Sequence, residues 1–191
     1  MPDVSSLDQN DEGLTMTSVT PKGKTKSSPV RLAITAVMAG LVCVATLLIQ
    51  IPTPATQGYI NVGDAMIMAT ALIFGTLVGG FAGGVGSAIS DIISGYGYFA
   101  PLTLVVKGIE GTLAGKISDG KNWKRDVLAV IVGGGEMVIG NFLGEAFIMG
   151  YGVPAALTEI PGNIIQMLVG GVIGIPLSLA VRRYIAISKW R

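Results

Sequence analysis

The chain has 191 residues, half of them apolar, a mean hydropathy of +0.65 and only 13% charged side chains. A soluble domain carries about 25% charge, so this composition cannot clothe a water-facing fold and points to an integral membrane protein. The absence of histidine, the single cysteine (Cys43) and a net charge of +1 exclude imidazole catalysis, nearly every zinc or nickel site, an intrachain disulfide framework and an electrostatically recruited nucleic acid.

In chain order, residues 1–29 are polar, contain Pro2, Pro21 and Pro29, and hold no apolar run. They are expected to be a disordered cytoplasmic tail rather than a signal peptide, which needs a continuous apolar core of about 7–15 residues. A tail carrying a partner motif is the alternative. Crossing the bilayer takes about 20 mostly apolar helical residues. The first such run is 32–51, ending at Pro52 and Pro54. The charge-free stretch 65–90 is broken by six glycines, and is expected to be two short helices, about 63–78 and 80–95, meeting in a tight glycine turn. A loop at 96–100 leads to a helix opened by Pro101 and running to about 117. After a polar stretch, 118–126, come spans at about 127–149 and 160–181, separated by 150–159. The expected fold is therefore an all-α membrane protein of six transmembrane helices. Its embedded domain covers 30–185, and a basic tail covers 186–191.

Twelve of the thirteen basic residues fall on one side of this six-span arrangement, before the first helix, between the fourth and fifth, and after the sixth. Five or seven spans would break the segregation. The positive-inside rule then puts both termini in the cytoplasm, with Trp123 and Trp190 as interfacial anchors on that side.

Ionisable groups at membrane depth usually face a cavity or a partner. Here they are Asp64, Asp91, Lys107, Glu110, Glu136, Glu145 and Glu159, accompanied by Asn61, Asn141, Asn163 and Gln166. Converted to height, most of them fall in the outer half of the membrane. Asn141 and Glu145 share one helical face, as do Asn163 and Gln166. Lys107 either contacts ligand or locks helices by pairing with Glu110 or Asp91. Asp64, beside Gly63, reads as a helix cap or dipole partner, and Glu136 as a protonated structural acid. Amides and carboxylates without arginine suit a neutral polar heterocycle better than a phosphate or dicarboxylate.

Tyr59, Tyr96, Tyr98, Phe99 and Tyr151 all fall in or beside the outer loops. They make either an ordinary aromatic belt or a lid that stacks on a flat ring. The candidate binding residues are thus Tyr59, Asn61, Tyr96, Lys107, Glu110, Asn141, Glu145, Asn163 and Gln166, and no metal or cofactor is expected. Small-residue pairs at helical spacing, Ala36/Gly40, Gly79/Gly83, Gly111/Gly115 and Gly140/Gly144, allow close helix contact.

The run from Gly58 to Gly115 carries INVGD at the start of the second helix, GSAISDIISGY at the end of the third and APLTLVVKGIEG in the fourth. In this it resembles the S components of energy-coupling factor (ECF) vitamin transporters, in the riboflavin-transporter-like branch, over most of 31–183. The resemblance implies a subunit of a prokaryotic plasma membrane that captures a vitamin or precursor from outside. It would deliver this ligand by docking on a transmembrane coupling subunit driven by two cytoplasmic ATPases. It also implies docking through small residues of the first helix, here Ala36 and Gly40, and a ligand site built from the first outer loop and the outer halves of helices four to six. Metal-uptake relatives use an N-terminal histidine that is missing here. Riboflavin, thiamine, its hydroxymethylpyrimidine precursor and pyridoxine all remain open as ligands.

The chain has no Walker motif and so does not itself hydrolyse ATP. A membrane-embedded enzyme would need a nucleophile with its base or a magnesium-binding acid cluster, for which Asp119 and Asp126 are too few. A self-sufficient proton-coupled carrier built on Glu136 or Asp91 is the other alternative.

Overall fold

A computed structural model of the chain describes residues 29–184. The expected N-terminal tail (but for Pro29) and the basic segment 186–191 lie outside the described residues. Six helices are present: α1 (Pro29–Leu48), α2 (Gly63–Phe74), α3 (Thr76–Ile93), α4 (Ala100–Ile117), α5 (Trp123–Leu143) and α6 (Val153–Tyr184). A wider, π-type turn at Gly144–Ile148 extends α5. Four helices, α1, α3, α5 with its extension, and α6, are long and apolar enough to cross a membrane.

The second helix is different in kind. Its 12 residues span only about 18 Å, and all but Met66 and Phe74 are buried. Apart from Asp64 and Thr70 it is apolar around its circumference because it is surrounded, touching α1, α3, α4 and α6. The break after it falls at Gly75, whose φ of +84° a side chain would resist. The expected glycine turn is therefore this one residue, earlier than the sequence suggests. The other glycines of 79–86 lie inside α3 and serve packing. A Cβ on Gly84 would lie 2.6 Å from the Leu104 carbonyl oxygen of α4, and one on Gly79 would lie 2.7 Å from Ala71 Cα of α2. Only bare backbone permits these approaches.

Two further differences from the sequence reading bear on the site. Between α1 and α2, where Pro52 and Pro54 suggest a plain loop, the chain forms an antiparallel hairpin of β1 (Gln50–Thr53) and β2 (Gly58–Asn61), pairing Pro52 with Tyr59. In a two-stranded ribbon every strand is an edge, so proline is tolerated. The sixth helix starts at Val153, not near 160, and carries Pro161 and Pro176 in its interior. Its early start brings Glu159 into the helix.

The bundle has two chemically distinct ends. At one, Arg182 of α6 reaches Asp126 of α5 at 2.6 Å, the Leu72 carbonyl of α2 at 2.5 Å and Ser118 beyond α4 at 3.2 Å. Apart from Lys107, every described basic residue belongs to this basic end. At the other end, Tyr98 donates to the Gln57 carbonyl at 2.6 Å, and Phe99 stacks on Tyr151 with centroids 6.2 Å apart. These contacts tie the hairpin to the 94–99 and 149–152 connections. Between the ends, Leu41, Phe81, Ile131 and Val172 face outward, as a lipid-exposed surface requires.

Candidate ligand cavity

Beneath the hairpin, a cavity with about 570 Å³ of unfilled space, part of it open to solvent, runs into the bundle. Seven of the nine candidate binding residues line it: Tyr59, Asn61, Lys107, Asn141, Glu145, Asn163 and Gln166. Tyr96 does not reach the wall but packs on Tyr59, ring centroids 4.7 Å apart. Glu110 is fully buried one turn below Lys107 and is not part of the lining. Asp91 and Glu159, prominent as ionisable residues but not chosen as binding residues, also line the cavity. So do Thr46, Thr53, Ser87, Phe99, Leu102 and Thr103. Nothing in the sequence marks these small hydroxyls, which are common in membrane helices. Phe99 is one of the outer-loop aromatics that the sequence marks as a belt or a lid.

The floor of the cavity is an ion network that the sequence reading assigns differently. Asp64 makes no side-chain cap bond, although it sits in the first turn of α2 where a dipole partner belongs. Its carboxylate is buried and accepts from Lys107 Nζ at 2.5 Å and from Gln166 Nε2 at 3.0 Å. Lys107 also lies 3.2 Å from Glu110 Oε2, one helical turn along α4. Its partners are thus Asp64 and Glu110, not Asp91. A cation between two carboxylates, removed from water, is tolerable where each charge has an opposite neighbour. Gln166 spends its other end on the hairpin, accepting from the Asn61 backbone N–H at 2.8 Å. It therefore holds β2, α2 and α6 in register as well as lining the cavity.

The lid is fixed by polar contacts at its rim. Tyr59 donates to Asp91 Oδ1 at 2.5 Å and lies 3.2 Å from Ser90 Oγ. Burial first, and then the Asp91 carboxylate, pushes the Tyr59 phenol well above the ordinary tyrosine value, so it remains a donor at neutral pH. Thr56 donates to Glu159 Oε1 at 2.6 Å, joining the hairpin tip to α6.

The walls, like Glu110 of the floor, hold buried polar atoms without a hydrogen-bond partner. Asn141 Nδ2 donates weakly to Asn163 Oδ1 at 3.3 Å, bringing the two expected amides together across α5 and α6. Glu145, in the π-type turn, is 7% exposed, and its Oε2 has no hydrogen-bond partner. A buried acceptor left open in this way is uncommon in a folded protein. Among the described residues no three histidine, cysteine or acidic side chains are grouped to hold a metal ion.

Outside the cavity lining, Ala36 and Gly40 of α1 are both exposed, and a Cβ at Gly40 would meet nothing within 4 Å. They form a flat strip on the outer surface of the bundle.

A helical membrane bundle with a polar, lidded cavity at one end is built to hold a small molecule. The chain belongs to the ECF-type riboflavin transporter S component family, whose profile matches residues 26–183. It is 46% identical over 145 residues to an uncharacterised protein in the gap 3′ region of Pyrococcus woesei, covering 75% of this chain and 96% of that one. It is also 27% identical over 154 residues to the thiamine precursor transporter HmpT of Lactococcus lactis subsp. cremoris (strain MG1363), covering 80% of this chain and 88% of that one. Membership makes it a vitamin-type substrate-binding subunit of an ECF transporter, a transporter class and not an enzyme class.

Proposed function

We propose that this chain captures a vitamin or vitamin precursor with a flat heterocyclic ring at its hairpin end. It then delivers the ligand through a transmembrane coupling subunit driven by two cytoplasmic ATPases. The observation that carries the reading is the cavity itself, where Asn141, Glu145 and Asn163 turn polar atoms inward beneath an aromatic lid. The basic end faces the cytoplasm, because positively charged flanks are retained on that side. The hairpin end then faces outward in the plasma membrane, where ligand arrives. Ala36 and Gly40 supply the docking strip, since small side chains let a partner helix approach closely.

The substrate lies within the vitamin class common to riboflavin and thiamine precursors, the two chemistries named for the family and for the HmpT relative. The test is twofold. Mass spectrometry of small molecules copurifying with the protein identifies the ligand. Uptake into liposomes containing only this chain must fail, while addition of the coupling subunit, ATPases and ATP restores it. Concentrative uptake by the chain alone would establish a self-sufficient carrier instead.

A further inference from the structure

We propose that the outward-opening groove between α3 and α4 holds one hydrocarbon tail of an anionic phospholipid of the cytoplasmic leaflet, with Lys116 on the headgroup. The inference takes the basic end as the cytoplasmic one and is independent of what the cavity under the hairpin binds. The groove has about 1010 Å³ of unfilled space. Leu77, Phe81 and Val85, one turn apart along α3, form one wall, and Val105 and Ile109 of α4 form the other; all five are exposed. The floor is bare backbone at Gly80, Gly84 and Gly108. A Cβ at Gly84 would lie 3.2 Å from Gly108 Cα, and one at Gly108 would lie 3.7 Å from the Gly80 carbonyl oxygen. The two helices thus meet backbone to backbone, and the side chains flanking that contact leave a trough. Atoms lining an unfilled trough lose their dispersion partners, so methylene groups from the bilayer are favoured there.

Length and polarity match one leaflet. From Thr76 to Val85 the groove follows α3 for about 14 Å, about half of the ~30 Å hydrocarbon thickness. It begins at the basic end, and its only polar side chains, Thr76 and Thr112, belong to that end. Lys116 stands at its mouth. Val105, Ile109, Thr112 and Lys116 recur at spacings that put them on one face of α4, with Lys116 exposed in the last turn. A Cβ at the adjacent Gly115 would lie 2.5 Å from Thr76 N, so this turn of α4 lies against the start of α3. Lys116 makes no ion pair among the described residues. The positive end of the α3 dipole, which has no side-chain cap, adds to the attraction for an anion. A cation between transmembrane helices at the cytoplasmic surface is suited to an anionic headgroup. A partner helix laid in the trough would fill it but leave Lys116 unmatched.

The test is native mass spectrometry of the full-length protein in detergent supplemented with equal amounts of phosphatidylglycerol and phosphatidylcholine. The protein should retain one phosphatidylglycerol about fivefold in preference to phosphatidylcholine, the scale of one lysine near an anionic surface. Lys116→Gln should abolish the preference. Gly108→Leu, which places a side chain in the trough, should lower retention of both lipids at least fivefold. Val105→Trp, at an exposed wall position, repeats the filling if Gly108→Leu does not fold. Lys121→Gln with Lys124→Gln removes two charges from the same end and should leave retention and preference unchanged. Equal retention of the two lipids by the parent protein would overturn the inference. So would an equal loss of preference in the Lys121/Lys124 variant, which would reduce the effect to a general attraction of the basic end. A filled variant that keeps its lipid but no longer copurifies with the coupling subunit would assign the groove to that partner and overturn the inference as well.

Discussion

The ammonium group of Lys107 lies 2.5 Å from Asp64 Oδ1, joining two helices through residues 43 positions apart, with both side chains almost wholly buried. Together with Glu110 this makes a floor that must be kept whole. Lys107→Met leaves two carboxylates without their cation and should cost about 3–5 kcal/mol of stability. Glu110→Gln should cost much less, because the contact between Lys107 and Asp64 survives. Unfolding of both variants in detergent, followed by denaturant or heat, checks the ranking; equal losses would refute it.

The cavity walls behave differently from the floor. Glu145→Ala and Asn163→Ala should each weaken ligand binding at least tenfold, or about 1.4 kcal/mol, with unfolding temperatures close to that of the parent. Gln166→Ala should lower both, since its amide bonds to Asp64 and to the Asn61 backbone. Titration and unfolding measured on the same preparations separate the two behaviours.

The hairpin is held shut by the hydroxyl of Tyr59. Tyr59→Phe removes a hydrogen bond to a carboxylate, an interaction of about 1.5–3 kcal/mol. Amide hydrogen exchange across 50–61 should accelerate, while exchange in the core of α2 stays slow. The Tyr59 phenol is raised above its ordinary value of 10.0 by burial and by Asp91. The lock is therefore fully present below pH 10 and weakens only as the pH climbs beyond it. An exchange rate at 50–61 that rises already between pH 7 and 9, after correction for intrinsic exchange, would contradict this.

Docking is tested on the exposed strip of α1. Ala36→Leu with Gly40→Leu should abolish ATP-driven uptake and reduce copurification of the coupling subunit, because bulky side chains hold the partner helix away. Neither residue lines the cavity, so ligand affinity of the isolated protein should hardly change. Normal transport by the double variant would remove α1 as the docking surface.

The number of helices and the gathering of basic residues at one end were legible in the amino-acid sequence, because apolar run length and charge placement are local properties. Rise per residue also converts position along a helix into depth, but that conversion depends on where each helix starts, and the start of α6 at Val153 rather than near 160 moves Asn163 further into its helix. What it cannot supply is direction around the helix axis and the identity of the neighbour. Asp64 reads locally as a helix-start residue, and only the enclosure of α2 by its neighbours turns it toward Lys107 and Gln166. Asp91 and Glu159 lie at the right depth, yet become cavity walls only because Tyr59 and Thr56 close over them. The hairpin, with two prolines and no long alternating run, owes its existence to the helices that anchor its ends. Depth is set residue by residue along the chain, whereas ion pairing and cavity shape arise from contacts between segments tens of residues apart, which only the packed bundle decides.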